Sequence, residues 1–399
     1  MIKQINKKTL ISLPILILIL ISSYLFVSFN FDSIFSKEIE RKEQDSVIVI
    51  KFASVGDLMC HSVQFDYAHV DGDSFDFLPV YGEVKSFFQS KDIVFGNLES
   101  VFAGKDEKYS GFPFFNSPDD YIVALKQVGF NFLNTANNHS LDRKEKGLLR
   151  TIAKLKELGI NYFGTYESYE DRDSIRMFEK ENFKIALLGY SYGTNGLPIP
   201  KGKPFLINLI DTALIRTDLL RAKQKGADVS IVYFHWGEEY QTEPNNFQEL
   251  IADFTLTAGA DLIIASHPHV LQKVKFFKKN DSKIDTSFIA FSLGNFISNQ
   301  QWRYSDAGVI FEFDLEKNRN TDKVKLANIK LTPTWVYKGL INKKRSYLIL
   351  PAYRYEDTTY TFLSKDDKIK MEQAFFDSKS ILNNLKDIPN KGNSNQSQQ

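Results

Sequence analysis

Six short segments of the 399-residue chain place carboxylate, carboxamide and imidazole groups at the ends of apolar runs. They are Gly56-Asp57-Leu58-Met59-Cys60-His61, Gly96-Asn97-Leu98-Glu99, Asn134-Thr135-Ala136-Asn137-Asn138-His139, His235-Trp236-Gly237-Glu238, Ser266-His267-Pro268-His269 and Ser292-Leu293-Gly294-Asn295-Phe296. Five of the six histidines fall in these segments; only His69 does not. Imidazole with carboxylate suits Zn, Mn or Fe. Cys60 is the single cysteine, so neither a thiolate zinc set nor an intrachain disulfide is available. Asp57, Glu99, Asn138, His235, His267 and His269 outnumber the donors that one tetrahedral ion needs. Two ions about 3.5–4 Å apart use them all, with a carboxylate bridging. Such a pair binds a phosphoryl group and acidifies a bridging water. A nearby histidine is then left to protonate the leaving oxygen.

Taken singly, most of these segments have ordinary readings. Gly-Asp after a strand is commonly a turn, and Asn137-Asn138-His139 alone reads as a helix cap with a surface histidine. His267-Pro268-His269 has fewer structural uses. Cys60 reads as a small packed residue, because a Cys-His hydrolase leaves the other histidines unexplained. The set as a whole favours a metal site.

The elements that must position these groups are legible as short apolar runs. Val47 to Val55, Asp92 to Phe95, Phe130 to Thr135, Phe183 to Gly189, Asp228 to Phe234, Asp261 to Ala265 and Ser287 to Ser292 read as buried strands. Between them, Glu145 to Leu158 puts Leu148, Ile152, Leu155 and Leu158 on one helix face, stopped by Gly159. Phe247 to Ala258 puts Phe247, Leu250, Ile251, Phe254 and Ala258 on another. There Asn246 and Glu249 resemble a capping box, and Gly259 is the stop. Strands alternating with helices predict a layered α/β architecture. In an open α/β sheet, ligands bind outside the carboxyl ends of the strands, where all six segments would meet. After about residue 305 the chain turns β-like and irregular, and a helix over roughly 365–385 closes it.

The organisation read from the sequence is therefore an anchor at 1–30, a charged linker at 31–46, a main domain at 47–305, a β-rich extension with a terminal helix at 306–389, and a disordered tail at 390–399. Leu10 to Phe29 carries no charge and is long enough, at roughly 30 Å as a helix, to span a bilayer. Lys3, Lys7 and Lys8 precede it, which predicts a cytoplasmic N-terminus and an extracellular C-terminal domain on a single-pass protein of the cell membrane. A cleaved signal peptide is the rival, but the small-residue cleavage pattern is missing. The composition, 43% hydrophobic and 25% charged with 34 Phe and 18 Tyr, is ample for a large core. A net charge of +1 argues against nucleic acid as a partner. Tyr109, Phe112, Phe114 and Phe115 lie in a loop after the Glu99 strand and either line a groove or pack the loop down. The Gly/Pro-rich stretch Tyr192 to Pro200 is a candidate rim loop.

Together, Gly-Asp-Leu-Met at 56–59, Gly-Asn-Leu-Glu at 96–99, Asn-Asn-His at 137–139, His-Trp-Gly at 235–237, His-Pro-His-Val at 267–270 and Ser-Leu-Gly-Asn-Phe at 292–296 resemble the capsule-synthesis CapA family. That family includes the PgsA-type proteins of poly-γ-glutamate synthesis. The likeness runs from about Ile48 to Ile297. It implies a calcineurin-like metallophosphatase fold, a β-sandwich flanked by helices, in place of an open sheet. It also implies roles: Asp57 and His269, joined by His61, on one metal; Asn138, His235 and His267 on the other; Glu99 where metallophosphatases have a bridging Asp. His139 stands where they have the histidine that assists the leaving group, with Asn138 beside it. Two departures stand out: position 59 is Met where the usual Asp-x-His motif has His, and Glu99 is one carbon longer than the usual Asp. The resemblance implies a metal-dependent hydrolase working with integral-membrane polymer synthase subunits on an anionic polymer or a phosphorylated envelope substrate. Two other functions stay open: a cell-envelope phosphoesterase unrelated to polyglutamate, and a non-catalytic scaffold of a polymer synthase.

Overall fold

The apolar runs become strands, and several continue into the polar residues that follow them. The structure, a computed structural model, describes residues 46–280 and 282–382. Strand β1 (Val47–Met59) leads into α1 (Ser62–Ala68), a ribbon of β2 (His69–Asp71) with β3 (Ser74–Phe75), and β4 (Ile93–Glu99). Helix α2 (Asp119–Val128), β5 (Phe132–Asn134), α3 (Lys144–Glu157) and β6 (Asn161–Phe163) follow. The next stretch holds α4 (Tyr169–Asp173), β7 (Arg176–Lys180), β8 (Phe183–Ser191), α5 (Thr212–Gln224), β9 (Val229–His235), α6 (Asn246–Thr257) and β10 (Leu262–Ser266). The chain ends with β11 (Val274–Lys278), β12 (Thr286–Ala290), β13 (Asn295–Ile297), β14 (Ala307–Asn318), β15 (Val324–Ile341), β16 (Lys344–Pro351) and α7 (Lys365–Leu382).

By contacts the chain divides into Met1–Ile48 with Asn318–Asp322, and Val49–Lys317 with Lys323–Gln399. In the first unit, the Arg319 amide donates to the Ser46 carbonyl at 2.7 Å.

Two sheets are layered, not one sheet opened. The first runs β16-β15-β14-β1-β4-β5-β6, with β13 also on β1; the second runs β11-β12-β10-β9-β8-β7. Their inner faces meet through aromatic side chains: Tyr233 of β9 lies 6.2 Å from Phe95 of β4, and Phe288 of β12 lies 4.8 Å from Phe311 of β14. The Tyr233 hydroxyl donates to the Val55 carbonyl at 3.3 Å. Alternate residues face the other way, onto helices. Val94, Leu98 and Leu133 pack with Ile122 and Leu125 of α2 and Ile152 and Leu155 of α3. Val232, Phe234 and Ile263 pack with Ile215 and Leu219 of α5 and Ile251 of α6. Both faces of these strands are buried, which is why they read as unbroken apolar runs. This mixed α/β fold replaces the open sheet expected from strand order alone.

Three local expectations need correction. Strand β1 does not stop at Val55 but continues through the polar Asp57 to Met59. Helix α6 is capped by Asn245, not Asn246: the Asn245 side chain accepts from the Gln248 amide at 3.0 Å, and Gln248 closes the box. Its inward face also differs. Gln248, Ile251, Ala252 and Thr255 are buried, whereas Phe247 and Leu250 are exposed. Gln248 turns inward because its Nε2 donates to buried Gln272 at 2.8 Å, and that rotates the face. Gly159 and Gly259 do end their helices, at φ of 61° and 111°.

Strands β14–β16 continue the first sheet, and α7 packs on Trp335, Tyr337 and Leu350 through Met371 and Ala374. The apolar run at 10–29, the charged stretch up to residue 45 and the tail at 390–399 lie outside the described residues. Among the described residues, no helix is long and apolar enough to cross a membrane.

Candidate metal centre

Strand register does most of the assembly. In the first sheet Asn295, Asp57, Asn97 and Asn134 stand side by side on β13, β1, β4 and β5. In the second, Ser266, His235 and Ser191 form a similar row on β10, β9 and β8. The two polar rows face one another between the sheets. The β1–β13 crossing is tight: a Cβ on Gly56 would stand 1.9 Å from the Gly294 carbonyl oxygen, so neither sheet position nor approach tolerates a side chain there. Gly294 itself has φ 65°.

Asn97 is the hub of the row. Its Nδ2 lies 2.9 Å from Asp57 Oδ1, 3.2 Å from Glu99 Oε2 and 3.1 Å from His235 Nδ1. Its Oδ1 accepts from Asn134 at 2.9 Å and Asn137 at 3.2 Å. Asp57 Oδ2 is 3.1 Å from His269 Nδ1 and accepts from the His267 amide at 3.3 Å. His269 Nδ1 is also 3.1 Å from Asn295 Oδ1. His235 Nε2 is 2.9 Å from Asn138 Oδ1. The His-Pro-His segment holds its two imidazoles toward the centre by bending: φ is 103° at His267 and 58° at His269. For non-glycine residues this is strain of about 1–3 kcal/mol, of the kind functional sites retain.

Glu99 lies at the middle. Its Oε1 is fully buried with no hydrogen-bond partner, 3.6 Å from His235 Nε2, 3.9 Å from His269 Nε2 and 4.0 Å from His139 Nε2. His267 Nδ1 is likewise buried and unpartnered. Two groups of possible metal donors converge among the described residues, Glu99 with His267 and His269, and Asp57 with Glu99 and His235. Glu99 belongs to both.

The electrostatics of the centre follow from burial and from the mutual approach of its carboxylates and imidazoles. Burial raises the Glu99 carboxyl well above its usual range, and the Asp57 charge adds to this. For Asp57 burial works in the same direction but is overcome by the His269 hydrogen bond and the His269 and His235 charges, which hold its carboxyl well below the usual range. Burial, then the neighbouring imidazoles, pushes His235 well down and His267 down to about 3. Buried carboxylates and imidazoles that converge with donor atoms left unpartnered match what a coordinated cation needs, since buried charges are paired or coordinate metals. The ion contacts to Asp57 and Glu99 come from histidines alone among the described residues. The donor set therefore fits divalent metal, with Asp57, Glu99, His235, His267 and His269 as the side chains able to hold it and Asn138 adjoining His235.

His61 stands apart from both donor groups. It opens α1, its Nδ1 accepts from the Asn299 amide at 3.3 Å, and its ring meets Phe115 edge-on at 5.2 Å. Burial lowers its pKa to about 4. His139 sits beside the centre with its Nδ1 2.7 Å from Asp142 Oδ2 and its ring 4.7 Å from Phe115. The Phe115 amide donates to that same carboxylate oxygen at 2.7 Å, so Asp142 ties ring and loop together. Within the aromatic loop, Phe115 is buried between the two imidazoles, Tyr109 packs on Phe65 and Phe75, and Phe112 and Phe114 stay exposed. The Tyr192 ring lies tilted 4.5 Å from His267, and Tyr240 stands 6.1 Å from His269. Cys60 is fully buried, and burial pushes its thiol far up, which suits packing and not nucleophilic work. His69 is exposed and bonded to the Gly72 carbonyl, away from the centre.

Sequence reading missed Asn97, Asn134, Asn137, Asp142 and Asn295 as site residues. Asn97, Asn134, Asn137 and Asn295 stood inside the quoted segments, and a buried carboxamide at the end of an apolar run was the available signal. Asp142, three residues beyond His139, had none.

Known proteins support the same region. The pattern of the family described as "Bacterial capsule synthesis protein PGA_cap" matches residues 51–300. The chain is 31% identical over 305 residues to "Capsule biosynthesis protein CapA" of Bacillus anthracis, covering 73% of this chain and 71% of that one. It is 27% identical over 382 residues to "PGA biosynthesis protein CapA" of Bacillus subtilis (strain 168), covering 92% and 94%. Among solved structures, a phosphatase from Mycoplasma pneumoniae superposes with a TM-score of 0.44 at 15% identity, covering 72% of this chain and 94% of that one. With 250 contiguous residues matched and these relatives spanning most of its length, the chain belongs to the bacterial capsule synthesis family PGA_cap.

Proposed function

We propose that this protein acts in the biosynthesis of an anionic capsule polymer of the poly-γ-glutamate type, through a metallophosphoesterase-like centre of two divalent ions, Mn, Zn or Fe. The observation that carries the reading is Glu99, shared by both donor groups, with its Oε1 buried and unpartnered. A shared carboxylate is what a two-ion site requires of its bridge. The donor groups put Asp57 and His235 on one ion, with Asn138 adjoining His235, and His267 and His269 on the other, which regroups the ligand sets that the family resemblance implies. His61 reaches the first only by leaving its Asn299 bond. Bound ions supply Lewis acidity toward a phosphoryl or carbonyl oxygen and acidify water.

The chain's own residues then have defined tasks. Asp142 accepts from His139 Nδ1–H, fixing the tautomer whose proton is on Nδ1 and leaving Nε2, the atom facing Glu99, able to take up a second proton. As the imidazolium, steadied by the Asp142 carboxylate, His139 would deliver its Nε2 proton to a leaving oxygen. Asn97 holds Asp57, Glu99 and His235 in register. Tyr192 and Tyr240 wall the histidines. The His139–Asp142 pair favours hydrolysis over a purely scaffolding role, because a structural metal site needs no oriented proton donor.

The anchor belongs to the same proposal. Residues 10–29 hold the protein on the cell membrane with residues 47–389 outside, next to integral-membrane synthase subunits. The test is complementation of a capsule-forming strain that lacks this chain. Native protein should restore surface polymer, and His139→Ala and Glu99→Ala should not. Restoration by both variants would leave only the scaffold.

A further inference from the structure

The β15–β16 hairpin carries positive charge that the centre does not use. Residues 338–345, Lys-Gly-Leu-Ile-Asn-Lys-Lys-Arg, hold four cations and no acid in a chain whose net charge is only +1. Ile341 pairs with Lys344, so Asn342 and Lys343 form a two-residue turn, and both have positive φ, 50° and 65°. Such turns favour glycine at the second place. Here the place is taken by an exposed lysine. Among the described residues, no ion pair engages Lys343, Lys344 or Arg345.

The strip borders a cavity of ≈ 100 Å³ between α1 and β16, lined by Tyr67, Lys344, Arg345, Ser346 and Tyr347. One carboxylate, Asp76, also lines it, and its Oδ1 already accepts from the Leu78 amide at 3.1 Å. The Tyr67 ring has the Arg345 guanidinium and the Lys338 ammonium each 5.9 Å from its centroid, so aromatic stacking holds both cations at the rim. The volume has room for one carboxylate or phosphate group, well below the roughly 300–1,000 Å³ of a pocket for a whole small ligand. A hydrogen-bonded path runs from the strip to His61: Lys338 Nζ donates to Asn299 Oδ1 at 2.9 Å, the Tyr347 hydroxyl donates to the same oxygen, and the Asn299 amide donates to His61 Nδ1.

We propose that this strip is a second binding site, for the anionic groups, carboxylate or phosphate, of a chain whose neighbouring segment lies at the histidine centre. Lys344 and Arg345 take one group at the cavity mouth, and Lys338 and Lys343 take its neighbours. A single small anion has no need of cations spread along a hairpin; a repeating polyanion does. The proposal rests on the polymer reading above.

The test is binding of labelled poly-γ-glutamate and of inorganic polyphosphate to the full-length protein at low and moderate salt. Lys344→Ser with Arg345→Ser should weaken binding about tenfold and flatten its salt dependence, with metal content unchanged. Lys343→Gly suits the turn, so it should weaken binding by about threefold while raising thermal stability. It decides the matter even where the double variant fails to fold. Weakening confined to poly-γ-glutamate assigns carboxylates, weakening confined to polyphosphate assigns phosphates, and weakening of both assigns charge alone. Equal binding by native and variant chains overturns the strip and leaves the polymer reading intact. Binding of neither polymer by the native protein overturns both.

Discussion

Glu99 Oε1, with no partner among three imidazoles, and His267 Nδ1, equally alone, are the atoms that make the centre more than a buried polar network. A fully satisfied network would leave neither open. Asp142 acts one step away, through His139. Asp142→Asn can offer that shared position either an oxygen, which still accepts from the Phe115 amide and His139 Nδ1 but lacks the charge that steadies an imidazolium, or an N–H, which reverses the tautomer and loses the Phe115 bond. Turnover of whichever ester the protein hydrolyses should fall by about 10²-fold or more, with metal content unchanged, and the pH profile should lose its dependence on that imidazole. An unchanged pH profile would leave Asp142 as packing only. Sequence reading reached Asp57, Glu99, Asn138, His139, His235, His267 and His269 because each stands where an apolar run meets polar residues. It did not reach Asn97 as a hub, since one amide inside a quoted segment gives no sign that it touches five partners. That needs the register of β1 against β4.

At the level of elements, register carries the site, and close backbone approach carries register. Gly56→Ala should lower stability by about 3 kcal/mol or more and reduce metal content together, because the Gly294 backbone must move and Asp57 and Asn295 move with it. Denaturant midpoints and metal analysis check this. The strands were legible as apolar runs, but their stacking into two layers was not legible from periodicity, since a strand buried on both faces looks alike in either arrangement. The α6 face failed for a different reason: Gln248 outbids Phe247 and Leu250 for the interior through its bond to Gln272. At the start of β14, burial raises Asp306 to about 6 even though its carboxylate accepts from Trp335 Nε1 at 2.9 Å. With the folded pKa above the unfolded one, its contribution is fully present below pH 3.8 and is lost as pH rises through about 6. Asp306→Asn should therefore stabilise the protein above pH 6, by up to about 3 kcal/mol, with the gain vanishing near pH 4. Melting curves across that range show it, and a pH-independent difference would contradict it.

For the whole molecule, two polar rows from two sheets face each other across one interior, and the histidines of the second sheet meet the carboxylates of the first. Neither sheet holds a complete donor set. The central claim is therefore that the folded chain binds divalent metal between its sheets through Glu99. Elemental analysis of the purified full-length protein, native and Glu99→Ala, measures it directly. The account predicts about two divalent ions per native chain, with most of this lost from the variant and a lowered melting temperature, since metal that binds only the folded state stabilises it. Native protein that takes up no Mn, Zn or Fe on incubation, or a Glu99→Ala variant that keeps the native metal content, would contradict it.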